Sequence, residues 1–416
     1  MPGSALPRKR KDGSTVYRAQ WRPPGDGSDA NRRTKTFPTK GLANGWITEQ
    51  DSTHKAGTWT DPRDADMLFE HVADELRDIW ANLAPKTAVG YESILNKHLL
   101  PEFGDRRLGA ITPALIQKFA NTLAGTLKPN TVHNVMDVLR SVLGLAVGRR
   151  YIALSPYVTI QLPSAEDGES HVNPLTNAQV DRLVEHLPEH WRLPVLLDAY
   201  TGLRAGELWA LKLTDINLLR CELRVDEALK EVTRAAAAKL PAAQRITGSL
   251  IIGPTKTYAK RNVSFPRFLR ERLAAAVEEA ISEGRTFLFA TPDGDAVRHN
   301  NFYKRVFVPA ARAAFPEITK LAELSALAEG KKTENVSPFR FHDLRHTCAS
   351  WLIDEGAHPK RIQTRLGHKK LSTTMDTYGH LFPDAEPEMA DMLDARYRAA
   401  QEPTNVRPLR SVDGEG

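Results

Sequence analysis

The sequence predicts a mainly α protein with small β elements (α+β). It divides into a small N-terminal three-stranded-sheet-plus-helix module, a helical domain, and a larger mixed, mainly helical domain with a small antiparallel sheet. Three observations lead there. Apolar residues recur at helical spacing over most of the 416 residues. Period-two segments separated by a turn open the chain, and a strand-rich interval runs from about 222 to 266. Two polar segments, "KAGTWTDPRDA" and "LPSAEDGESHVNP", read as linkers and set domains at 1–62, 66–160 and 173–398, with a polar tail at 399–416.

In the first domain, "STVYRAQWR" alternates, with Tyr17, Ala19 and Trp21 on one face and Arg18, Gln20 and Arg22 on the other. That pattern is a half-buried strand. "PPGDG" is a turn, "RRTKTF" a second strand, and Leu42, Trp46 and Ile47 mark a short amphipathic helix. Charge concentrates at this end. Residues 1–40 hold ten Lys or Arg against three Asp, +7, while the whole chain sums to +6. A polyanion partner follows for Arg8, Lys9, Arg10, Arg18, Arg22, Arg32, Arg33 and Lys35. The competing reading is a solvated basic tail.

The second domain is expected to be all helical, with helices near 67–82, 87–98 and 113–123 and a longer one opening at Pro129-Asn130-Thr131. In the last, Val132, Val135, Met136, Leu139, Val142, Leu143 and Ala146 form one apolar stripe. No stretch is apolar enough for a membrane span, and the N-terminus has no apolar signal core. Cys221 and Cys348 make neither a ligand cluster nor a disulfide framework, as in a reduced cytoplasmic protein.

The third domain carries the chemistry. In "HDLRHTCASWL", His342 and His346 stand one helical turn apart, as metal ligands would. Leu344, Cys348, Trp351 and Leu352 share the apolar side of that helix. Arg345 projects with the histidines and would repel a dication, and Asp343 stands where the zinc-protease pattern has Glu. An anion suits His and Arg together, because a guanidinium fork matches two phosphate oxygens. A core-capping His with a surface salt bridge is the bland alternative. Upstream, "TGLRAGELWALKLTDI" sets Arg204 among small residues open to a bulky approach, with Glu207 placed to pair with it. "GPTKTYAKRNVSF" reads as a hairpin whose turn carries Lys256 and Lys260. "RLGHKKLSTTMDTYGHLFP" puts His368 after a Leu-Gly turn and Tyr378 beyond a Ser/Thr-rich segment suited to capping a helix.

The order TGLRAGEL, KT, HDLRHT, LGH and a Tyr before GH resembles the tyrosine recombinase (phage integrase) family, in its arm-binding-domain-containing type. The resemblance spans essentially the whole chain. It implies an arm-type DNA-binding module, a helical core-binding (SAM-like) domain and a catalytic domain. By motif, Arg204 and Arg345 correspond to catalytic arginines, Lys256 to the hairpin lysine, His342 and His368 to active-site histidines, and Tyr378 to the nucleophile. It further implies strand cleavage through a 3′-phosphotyrosyl link, no cofactor and no metal. Double-stranded attachment-site DNA is the implied partner, with a homotetramer on DNA, a host DNA-bending factor and an excision directionality factor. The setting would be the cytoplasm, at the nucleoid. A chromosome-dimer resolvase of the same family and a non-catalytic DNA-binding regulator are the alternatives. The stretches 233–249 and 313–336 exceed the family minimum.

Overall fold

The computed structural model describes residues 3–24, 32–56, 64–164, 174–257, 260–328, 332–333, 336–382 and 386–401. It forms two compact units, Met1–Gly168 and Glu169–Gly416. Both expected linkers and nearly all of the tail fall largely outside the described residues.

The first unit opens with an antiparallel sheet of three strands in the order β1 (Gly3–Lys9), β2 (Thr15–Trp21) and β3 (Arg33–Phe37). The helix Lys40–Lys55 follows, begun by the Thr39 hydroxyl accepting from the Leu42 N–H at 3.3 Å. It covers the face bearing Ala19 and Trp21: Trp21 meets His54, and Phe37 meets Trp46. The helix is longer than expected, and of the three residues read on its apolar face Trp46 and Ile47 are half-buried while Leu42 turns outward. Ala43 is buried, whereas Leu42 is 56% exposed. The small Ala43 side chain allows the helix to lie close on the sheet.

Cross-strand partners share a face of a sheet, so the register sorts the basic residues. Arg8 pairs with Val16, and Arg18 pairs with Leu6 and Thr36, all on the face away from the helix. Lys9, Arg33 and Lys35 pair with Thr15, Trp21 and Ala19 on the helix side, where the Lys35 ammonium lies 5.6 Å from the Phe37 ring centroid. The eight candidates therefore divide between two faces and the strand ends. Arg8 and Arg18 thus lie on the open face of the sheet, and Arg33 does not.

The helical part comprises Phe69–Trp80, Pro85–Ile94, Pro113–Ala124 and Pro129–Gly148. The second of these runs on through a π turn, Leu95–Leu99, into Leu100–Phe103. All seven residues of the stripe read in the last helix are buried, and Pro129 stands in its first turn, where no N–H is needed.

The second unit has two three-stranded antiparallel sheets where one was expected. Their orders are β4-β5-β9 and β6-β8-β7, with β4 Ile216–Asn217, β5 Glu222–Val225, β6 Glu227–Glu231, β7 Arg245–Thr247, β8 Leu250–Pro254 and β9 Arg261–Ser264. The hairpin expected over 253–265 does not form. β5 and β6 are successive halves of one strand parted at Asp226, and β9 and β8 are the halves of its antiparallel partner. Val225 faces Arg261 while Glu227 faces Pro254. Residues 255–257 thus leave the ladder opposite Asp226, and Lys256 is among them. Alternation identifies strands, but the partner is chosen by burial and register at a distance.

Of the two long stretches, 233–249 supplies the helix Arg234–Ala238 and β7, and 313–336 supplies the helix Pro316–Ala328. Cys221 and Cys348 are free. Among the described residues no helix is long and apolar enough to cross a membrane.

Candidate active site

The site is built on the C-terminal end of the helix Pro359–Leu366. The last carbonyls of a helix lack intrahelical partners and carry the negative end of its dipole. Here three consecutive carbonyls each accept from an arginine. Arg365 O receives Arg261 Nε at 2.8 Å, Leu366 O receives Arg345 Nη2 at 2.5 Å, and Gly367 O receives Arg204 Nη2 at 3.2 Å. Arg345 also donates Nη1 to Gly202 O at 2.6 Å. The turn that presents these carbonyls requires Gly367, which has φ +65° and whose missing Cβ would lie 3.0–3.2 Å from the Arg261 guanidinium.

Glu207 joins two of the arginines. Its carboxylate accepts Arg261 Nη2 at 2.6 Å and Arg204 Nη1 at 2.9 Å, and also the Arg204 backbone N–H at 3.0 Å. Burial raises the Glu207 pKa, but the bond to Arg261 and the charges of Arg261 and Arg204 outweigh it, so the net shift is downward and the group stays ionised. Asp198, facing Arg345 from the helix Glu189–Thr201, is the opposite case. Both its oxygens are buried without a hydrogen-bond partner, and burial raises its pKa well above the usual carboxylate value. Three guanidinium groups outnumber the two buried carboxylates, leaving excess positive charge. Burial, then repulsion from Arg204, lowers the Arg345 pKa to about 10, still a cation at neutral pH.

The glycines near Arg204 have a different use from the one expected. A Cβ at Gly206 would lie 2.6 Å from Leu229 O, and one at Gly202, where φ is +65°, would meet Leu366 and Cys348. Their smallness serves the chain's packing on itself. The helix Asp343–Asp354 also departs from expectation, since Arg345 and His346 on its supposed open face are buried. The surface salt bridge of the bland reading is absent for Arg345, which is 1% exposed and bonded to backbone carbonyls.

His368 Nε2 lies 3.0 Å from Arg345 Nη2, and Nδ1 lies 2.9 Å from Thr374 Oγ1. A guanidinium can only donate, so Nε2 accepts and the neutral ring carries its proton on Nδ1. Burial, then Arg345 and Arg204, lowers its pKa to about 4. Thr374 thus orients His368. The Ser/Thr run does not cap its helix Leu371–Tyr378, which begins after Lys370 without a side-chain cap. Tyr378 ends that helix, 1% exposed, with Oη 2.8 Å from His346 Nδ1. Burial raises the Tyr378 pKa to about 12 against the opposing pull of Arg345. The His342 ring is exposed and packs edge-on to His346, with centroids 5.0 Å apart. Partial desolvation, then Arg345, lowers its pKa.

The structure therefore brings Arg204, Arg345 and His368 together directly and reaches Tyr378 and His342 through His346. Lys256 is exposed on its loop and, among the described residues, makes no hydrogen bond or ion pair with this group. Sequence reasoning missed Arg261 and passed over His346. Arg261 had a signal: it shares the inward phase of β9 with the buried Val263 and Phe265. His346 follows Arg345 directly. Gly367→Ala is expected to lower stability by about 1 kcal/mol or more, through left-handed backbone strain. It should also slow catalysis more than it weakens DNA binding, because the new methyl displaces Arg261. Thermal unfolding and single-turnover rates check this, and an unperturbed variant would refute the packing argument.

The model of the phage integrase family matches residues 173–384, and that of the phage integrase N-terminal SAM-like domain matches residues 76–124. The integrase of Mycobacterium phage L5 is 26% identical over 344 residues, covering 80% of this chain and 83% of its own length. The ICEBs1 integrase of Bacillus subtilis (strain 168) is 26% identical over 313 residues, covering 72% and 75%. The Tn1549 transposon integrase, solved with circular intermediate DNA, shares the fold at a TM-score of 0.56 and 17% identity, over 80% of this chain and 100% of that one. The catalytic-family match alone covers just over half of the sequence, and the chain belongs to the phage integrase family, the tyrosine-type site-specific recombinases.

Proposed function

We propose that this recombinase is the integrase of a phage or other mobile element, and that it cuts and rejoins attachment-site DNA through a 3′-phosphotyrosyl link to Tyr378. The observation that carries the reading is the excess guanidinium charge fixed on the carbonyls of residues 365–367 beside a buried tyrosine. A phosphodiester gains charge density on its nonbridging oxygens as it is attacked, and cations already held in place stabilise that change without reorganising. Arg204 and Arg345 grip those oxygens. His342 and His368 add hydrogen bonds or move protons; His368 must release Arg345 and carry a proton on Nε2 to donate to phosphate. Tyr378 attacks phosphorus, and Lys256, brought in on its loop, protonates the departing 5′-oxygen. The link conserves the energy of the broken bond, so a second 5′-hydroxyl reseals the strand without a nucleotide cofactor.

The working assembly is a homotetramer on double-stranded DNA in the cytoplasm, at the nucleoid, with a host bending factor and an excision directionality factor as further partners. The domain at 66–160 clamps the core site together with the domain at 173–398, while 1–62 holds arm sites. The test is a nicked suicide substrate that traps the adduct in the presence of EDTA. Mass spectrometry is expected to find the nucleotide on the Tyr378 peptide. No adduct, or one that forms only when zinc is restored, would defeat the proposal. Deleting residues 1–62 is expected to leave that cleavage within a few-fold and abolish integration between full attachment sites. Arm-site binding by the intact chain should weaken steeply with salt as phosphate contacts release counterions. A deletion variant that integrates normally would refute the division of labour.

A further inference from the structure

We propose that His346 is the base that takes the Tyr378 proton as the hydroxyl attacks phosphorus. The inference rests on Tyr378 being the nucleophile, and it fills a role left open by the arginines, Lys256, His342 and His368.

The geometry points to His346 rather than to another histidine. His346 Nδ1 and Tyr378 Oη are 2.8 Å apart, and both residues are buried. Both nitrogens of His368 are engaged, one by Arg345 and one by Thr374, and its Nε2 lone pair points at a guanidinium. His342 is exposed and touches the nucleophile only through the His346 ring. His346 also follows Arg345 on the same helical turn, so the base and a phosphate-holding group share one rigid element.

The electrostatics supply both the need and the means. At a pKa near 12, roughly one Tyr378 in 10⁵ is ionised at neutral pH, so attack requires an acceptor. An acceptor must be neutral beforehand. The charged and titratable groups around His346 are Asp343, Arg340, Arg345 and His368, with His342 and Tyr378 against its ring. Burial is the largest influence and lowers its pKa, with Arg340 and Arg345 acting the same way against Asp343. The ring is therefore free to receive a proton. In the step, the Oη–P bond forms as the P–O5′ bond breaks. The Tyr378 proton passes to His346 Nδ1, and the 5′-oxygen takes a proton from Lys256. Resealing runs the same transfers in reverse.

His346→Asn separates proton transfer from positioning, because its amide oxygen reaches the place of Nδ1 and can accept a hydrogen bond but cannot take up a proton. Single-turnover adduct formation on the suicide substrate is expected to slow by about 10²-fold, with core-site binding unchanged. Between about pH 6.5 and about 8.5 its rate should climb roughly tenfold per pH unit, where the wild type is level. A substrate with sulfur at the bridging 5′ position needs no acid at its leaving group. It should rescue Lys256→Ala and leave His346→Asn slow. A His346→Asn protein that cleaves at the wild-type rate, or that sulfur rescues, overturns the proposal. Should that variant fail to fold, NMR of the histidine rings in wild type and Tyr378→Phe decides. An unprotonated Nδ1 that shifts when Oη is removed is expected, and a ring protonated at that nitrogen overturns the assignment. An adduct formed by Tyr378→Phe would sink the nucleophile reading itself, whereas a normal wild-type adduct with an indifferent His346→Asn sinks this inference alone.

Discussion

Tyr378→Phe is expected to form no covalent adduct with a nicked suicide substrate while still folding and binding core-site DNA. The substitution removes one oxygen and nothing else. The ring keeps its place against Ala349, Ile353, Ile362 and Leu366, the small apolar cluster that closes this end of the second unit. What is lost inside the protein is the bond to His346, and an orphaned ring nitrogen costs about 1–3 kcal/mol, a tolerable fraction of the stability of a domain this size. What is lost in the reaction is the atom that bonds to phosphorus, and no neighbouring hydroxyl can replace it without moving the backbone. Tyr397→Phe is the control: Tyr397 is also near the C-terminus, but it is exposed on the helix Glu386–Gln401. It should retain the adduct in full. Gel-shift assays and denaturing gels of the same reactions separate binding from covalency. An active Tyr378→Phe protein, or a dead Tyr397→Phe protein, would mean that the nucleophile had been misassigned.

Motif order made Arg204, Arg345, His368 and Tyr378 readable as a set, and two of them lie beside readable helix stops: His368 follows Gly367, and Arg204 comes two residues after Gly202. Gly202 and Gly367 both end helices in the left-handed conformation, and a glycine after an apolar helical pattern is a readable stop. The long stripe beginning at Val132 was equally plain, since a twenty-residue amphipathic helix repeats its signal many times. What escaped was set by residues far apart in sequence. That β8 and β9 pair with two halves of one strand depends on a break at Asp226, and no local pattern in 253–265 records it. The inward turn of Arg345 and His346 depends on packing between helices more than a hundred residues apart, and polar side chains that are buried look identical in sequence to polar side chains that are solvated. The division of Arg8 and Arg18 from Arg33 and Lys35 needed the strand register, which a stretch rich in charge on both phases leaves open.

Arg345→Lys is expected to slow strand cleavage by about 10²–10³-fold while leaving core-site affinity within a few-fold. Lysine keeps the charge, so any loss must come from geometry. The Arg345 guanidinium spans Gly202 O, Leu366 O and His368 Nε2, and that planar fork is held before DNA arrives. An ammonium on a flexible stem reaches one or two of those acceptors and leaves the others buried and unpaired. It would also release His368, whose neutral tautomer is fixed by accepting from Arg345 and donating to Thr374. Binding should change little on the proposed reading, in which most contacts to core DNA are made by other surfaces of the two core-site domains. Cleavage should change greatly, because the fork acts on charge that develops only during attack. Arg204→Lys is expected to follow the same pattern more mildly, since Arg204 is partly exposed and is anchored to Glu207 and to a single carbonyl. The decisive comparison is each variant's dissociation constant for an intact core site against its single-turnover rate on the nicked one. Equal losses in the two would make Arg345 an ordinary phosphate anchor, and the fixed guanidinium fork would then have no special part in the chemical step.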